Sequence, residues 1–133
     1  MINEIEKGFV KQYIIKKRQE RLIYELGSSK KRINAMSRFC HSSLELIKPN
    51  MIYESGDLSC DRILSLLIKF GKNEKNYIMA YDENIDKKYM NNDEAIRNVI
   101  GNGMAAIIIN SDIVIIETEQ EIGPAIKYVL INR

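Results

Sequence analysis

The stretch Met104 to Glu119, MAAIIINSDIVIIETE, constrains the fold more than any other, because two short apolar runs flank Asn110-Ser111-Asp112. Both runs are rich in β-branched Ile and Val, which favour strands, and the Asn-Ser-Asp punctuation can satisfy its own backbone while turning the chain back. A β-hairpin is expected. The rival pattern, one buried helix through the whole stretch, is disfavoured by the polar residues at its centre and by the β-branched content. Successive strand side chains point to opposite faces, so consecutive apolar residues on each arm demand cover on both sides of the ribbon. An opening pair of helices would supply one layer, and a second helix layer or a homodimer contact the other.

At 133 residues the chain can bury roughly two-thirds of its unfolded surface around one core, so a single domain spanning 1–133 is expected. With 45% apolar and 29% charged residues it has the composition of an ordinary globular protein. Its longest apolar run falls well short of the ~18 residues of a membrane-spanning helix. Charges bracket the few apolar residues of the opening MINEIEKGFVKQYIIKK, so no cleavable signal is read there and the cytoplasm is the expected location. Cys40 and Cys60 belong to no CxxC pair, which excludes a cysteine-rich metal cluster and points to two buried thiols. The formal charge of +2 hides an asymmetry. Residues 1 to 50 carry eleven Lys or Arg against five Glu, a net +6, whereas residues 51 to 133 carry nine against thirteen acids, a net −4. A basic helical front, 1–49, thus precedes an acidic, sheet-rich remainder, 50–133, which suits an anionic partner or an internal match of the two parts.

Taken in order, Ile2, Ile5, Phe9 and Tyr13 recur at helical spacing and predict a helix from about Asn3 to Leu26, its apolar face interrupted by Lys16 to Arg21. Gly27 is placed as a left-handed cap, with Ser28 or Ser29 capping a second helix from about Ser29 to Ile47. Met51-Ile52-Tyr53 is a short strand candidate. Asp57 or Ser59 can cap a third helix, Cys60 to Phe70, and Tyr77 to Tyr81 is the next strand. Asp82 to Asn91 reads as an exposed loop, followed by a short helix from Asn92 or Asp93 that Gly101-Asn102-Gly103 stops. Beyond the hairpin, Glu119-Gln120-Glu121 reads as a turn and Gly123-Pro124 as the entry to a last strand, Ala125 to Ile131, in which Lys127 suggests a sheet edge. The expected class is α+β: an N-terminal antiparallel helical pair packed on a roughly four-stranded, mainly antiparallel sheet with short intervening helices.

No stretch assembles a reaction site by itself. His41, the sole histidine, adjoins Cys40 on a helix, where neighbours point about 100° apart, so a Cys/His pair would require Cys60 to approach across the fold. One imidazole and two separated thiols make a poor transition-metal set, and neither metal nor cofactor is expected. Asp57 and Asp61 suit helix capping. Asp82, Glu83 and Asp86 lack the ligand periodicity of a calcium loop. Gly101-Asn102-Gly103 could expose amides to an anion, but it leads from helix to strand and carries no Walker or GxGxxG pattern, so it reads as a turn.

The basic set gives the clearest interaction signal. Lys16, Lys17, Arg18 and Arg21 share one helical neighbourhood, and Lys30, Lys31 and Arg32 begin the next helix, with Arg38 two turns on. Folded together at Gly27, they would form a surface for an acidic protein or for phosphates, although Glu20, Glu25 and Glu45 interrupt the positive field. Among the seven tyrosines, Tyr81 and Tyr89 flank the polar connection and form a secondary binding rim. The expected function is that of a cytoplasmic protein-binding or regulatory module that masks a partner's surface through Lys16, Lys17, Arg18, Arg21, Lys30, Lys31 and Arg32. Nucleic-acid binding through the same helices is the alternative, and a small enzyme centred on His41 or Cys60 the second.

Overall fold

The computed structural model describes residues 2–119 and 125–132. The isoleucine-rich ribbon is the hairpin that its sequence predicts, formed by β4 (Ala106–Asn110) and β5 (Ile113–Glu117). Ser111 turns the chain at φ 45°, in the left-handed region that tight hairpin loops use. Four more strands extend this pair: β1 (Ile52–Gly56), β2 (Asn76–Ala80), β3 (Tyr89–Met90) and β6 (Lys127–Ile131). The spatial order is β1-β6-β5-β4-β2-β3, with every neighbouring pair antiparallel.

Strand alternation divides the apolar residues between two cores. Tyr77, Met79, Ile107, Val114, Ile116 and Leu130 point into one layer, where Phe9, Val10, Leu22, Met36 and Phe39 meet them from three helices. These are α1 (Glu4–Tyr13), α2 (Lys16–Leu26) and α3 (Arg32–Leu46). On the other face Ile78, Ile108, Ile113, Ile115, Val129 and Ile131 pack against Ile63, Leu66, Leu67, Ala95 and Val99. Those come from α4 (Cys60–Phe70) and α5 (Asn92–Asn98). The α+β class therefore holds, and helices cover both sides of the ribbon. Fully burying one such side chain stabilises by about 1.5–3 kcal/mol, so two dry faces supply the dominant favourable term.

Local signals set the helix starts. Asn3 Oδ1 accepts from Glu6 N at 2.8 Å, Ser59 Oγ from Arg62 N at 3.1 Å, and Asn91 closes a capping box with Glu94. Several boundaries depart from the sequence expectation for reasons that are tertiary. Among the described residues the sheet has six strands rather than about four: β1 joins it beside β6, and β3 adds two residues laid against β2. The first long helix is broken at Ile14-Ile15, where Ile14 bridges to Ile47. Neither Gly nor Pro marks that break. Gly27 has φ −82° and is not a left-handed cap. Lys127 does not mark an edge: β6 lies between β1 and β5, and its lysine is buried beside Glu117. The expected turn at 119–121 and strand entry at 123–124 fall, apart from Glu119, outside the described residues.

Candidate interaction surface

The predicted basic set is divided by the fold. Lys16, Lys17 and Arg18 form the exposed first turn of α2, and Lys30 and Lys31 are exposed beyond its far end. α2, eleven residues and about 16 Å long, has the first group in its opening turn and the second beyond its far end. Arg21 lies on the outward side of α2 and reaches Glu25 at 3.5 Å, while Arg38 of α3 holds the same carboxylate through two bonds of 3.0 Å. Those bonds to Arg38, foremost, hold the buried Glu25 carboxyl below the usual glutamate range against the opposing effect of burial.

Arg32 does not belong to an accessible surface. Its guanidinium is buried between two carboxylates, with Nη1 and Nη2 donating to Glu6 at 2.7 Å each, and Nε and Nη2 donating to Asp86 at 2.7 and 2.9 Å. It also donates to Leu26 O. The Tyr77 hydroxyl donates to Glu6 Oε2 at 2.6 Å, and Ala80 N donates to Asp86. Burial opposes the guanidinium charge, but the bonds to Glu6 and Asp86 outweigh it and raise the Arg32 pKa. Burial, then the carboxylate, pushes the Tyr77 phenol upward. The clamp pins α1, α3 and the segment after β2 together, so the supposed loop Asp82 to Asn91 is anchored at Asp86 and contains β3.

Tyr81 and Tyr89 do not share one rim. Tyr81 borders a small hollow with Ser37, Cys40, His41, Met104 and Glu119. Tyr89 packs edge-on against Tyr77 with ring centroids 5.2 Å apart, and Lys75 Nζ lies 4.6 Å from its ring centre. Another tyrosine is more prominent. Tyr24 on α2 is 65% exposed, two turns along from Lys17 on the same outward line as Arg21.

His41 and Cys60 do not meet as a pair. His41 lies on α3, on one side of the sheet, and Cys60 begins α4 on the other. Cys40 is buried. His41 Nε2 is 3.3 Å from Glu119 Oε2, beside a crevice of about 610 Å³ lined by Ser42, Leu44, Glu45, Thr118, Ile126 and Tyr128. The crevice follows a kink at Ser42, where φ −133° leaves the helical region and the next hydroxyl, on Ser43, bonds back to Phe39 O. The Thr118 hydroxyl donates to Ile126 O.

The other candidates serve the fold. Gly101 N donates to both Glu117 oxygens at 3.0 Å, so the glycine turn receives a carboxylate from within the chain. Burial nevertheless raises the Glu117 pKa, despite the turn amides and Lys127 3.8 Å away. Asp57 lies 3.6 Å from Lys127, and Ser59, not Asp57, caps α4. Among the described residues no group of three or more His, Cys, Asp or Glu side chains gathers as a metal site, and no helix is long and apolar enough to cross a membrane.

Comparison with protein families, curated proteins and solved structures finds no match to this chain.

Sequence reasoning overlooked Lys11 and Lys48, which the bridge between Ile14 and Ile47 brings beside Lys16 to Arg18. The signal was faint: an unbroken helix to Leu26 would carry Lys11 along a continuous rod, far from any contact with Lys48. It also overlooked the role of Glu6, whose trace in the sequence is an acid at helical spacing from Ile2, Phe9, Val10 and Tyr13.

Proposed function

We propose that the chain is a cytoplasmic protein-binding module that masks a surface of its partner. The observation carrying this reading is the outward face of α2, where Tyr24 is 65% exposed in line with Lys17 and Arg21. Tyrosine and arginine are the side chains that most often anchor protein interfaces, because each joins a rigid flat surface to a polar end. α2 buries Leu22, Glu25 and Leu26 on its inner side, so this face can be occupied without disturbing the core.

The test places a photo-crosslinking residue at position 24 of the full chain in cells that make it. A discrete protein adduct, weakened by Lys17→Glu, is expected. An adduct destroyed by nuclease instead of protease would replace this reading with nucleic-acid binding through the same helix.

A further inference from the structure

We propose that Lys11, Lys16, Lys17, Arg18 and Lys48 form one site, at the corner where α1 ends, α2 begins and α3 ends, for a carboxylate-rich segment of the protein partner. This site presupposes the protein-binding reading above and narrows it to one patch and one chemistry.

The backbone builds the corner. Ile15 N donates to Leu46 O and Lys48 N to Tyr13 O, each at 2.8 Å, which joins segments more than thirty positions apart. Lys48 Nζ then donates to Lys11 O at 3.3 Å, and Gln19 Nε2 donates to that same carbonyl at 3.3 Å and to Ile14 O at 2.8 Å. The ammonium of Lys48 is thereby held against the end of α1, beside the first turn of α2. Lys11, Lys16, Lys17 and Arg18 are all exposed, and Lys48 is half-buried.

Charge pairing separates this group from the arginines near it. Arg21, Arg32 and Arg38 are each answered by a carboxylate of the same chain. Among the described residues, none of the five corner cations has a carboxylate within 4.0 Å. An acidic segment of a partner would answer charges that no carboxylate of the chain meets.

The shape of the patch favours carboxylates of a protein over a nucleic-acid backbone. A duplex is held by cations that track successive phosphates along its backbone. Here the next exposed pair, Lys30 and Lys31, lies beyond the far end of α2, with Glu20 and Tyr24 exposed in between.

The experiment uses the full chain and three fluorescent probes: a glutamate-rich peptide, a DNA duplex of matched charge and a neutral peptide. The triple variant Lys16→Glu/Lys17→Glu/Lys48→Glu should weaken anisotropy binding of the glutamate peptide by roughly tenfold or more, three exposed ion pairs being lost and reversed. The control Lys30→Glu/Lys31→Glu should stay within about twofold, with circular dichroism confirming that both variants fold. Equal weakening by both variants, tighter binding of the duplex than of the peptide, or no peptide binding by the native chain would each overturn the site. If the peptide result fails while the crosslink at position 24 still captures a protein, only this corner is wrong; loss of both removes the protein-binding reading as well.

Discussion

Arg32 shows how far one side chain's neighbours can redirect its role. In sequence it continues Lys30-Lys31, yet in space it is the cation between Glu6 and Asp86. Arg32→Ala would leave the buried Glu6 and the half-buried Asp86 carboxylates facing each other across the lost guanidinium, and removing one member of such a network costs about 3–5 kcal/mol. Urea unfolding should show that loss at neutral pH; a change within about 0.5 kcal/mol, typical of surface substitutions, would mean that the clamp is solvated. Glu117 makes the opposite kind of prediction. Its pKa is raised by burial, so the folded chain binds this proton more tightly than the unfolded chain. Its contribution to stability is therefore largest below the ordinary glutamate range and declines as pH rises through the window up to the folded value, then stays flat. Glu25, whose pKa is lowered, loses its contribution as pH falls, so it acts in the other direction and at lower pH. Glu117→Gln should flatten the first window when unfolding midpoints are measured against pH, and an unchanged profile would show that Glu117 carries none of that slope.

The elements that could be read from sequence were those whose signal is local. The β4–β5 hairpin followed from its β-branched arms and polar turn, and α4 from Ser59 and its apolar stripe. What could not be read depended on partners distant in the chain. β3 is a strand only because β2 lies beside it, and the division between α1 and α2 follows from the contact of Ile14 with Ile47. Lys127 resembled an edge residue because the register that sets it opposite Glu117 is invisible until β5 and β6 are aligned. The candidate surface was legible as a list of cations but not as a patch, since the bridge that adds Lys11 and Lys48 is the same unseen contact. Gly71 illustrates the packing between elements. A Cβ there would lie 2.5 Å from Leu67 O and 2.9 Å from Asn110 Nδ2. That amide already donates to Asn73 O at 2.6 Å and Asn76 Oδ1 at 2.9 Å, so it has little room to retreat. Gly71→Ala should cost about 1–3 kcal/mol, the usual range for overpacking. The cost should shrink in an Asn110→Ala background, because the two positions share the contact; additive losses in a double-mutant cycle would contradict it.

At the scale of the molecule, three layers leave the sheet no broad bare face and place the helical layer α1–α3 at the candidate surface. The sheet edges are also blunted: β3 is two residues long, and β1 shifts register between Ile52 and Glu54. Both devices discourage strand addition by another chain. A protein of this design presents helices rather than sheet edges to its surroundings. The strand order has one more consequence, for synthesis. β6, late in the chain, fills the place between β1 and β5, and among the described residues β1 has no other strand beside it. A nascent polypeptide stalled before Lys127 leaves the ribosome holds both halves of the future sheet without the ribbon that joins them, exposed to chaperones however early the helices form. Protease digestion of stalled chains should show protection of β1 arising in one step, once Lys127–Ile131 has emerged, and gradual protection during elongation would contradict it.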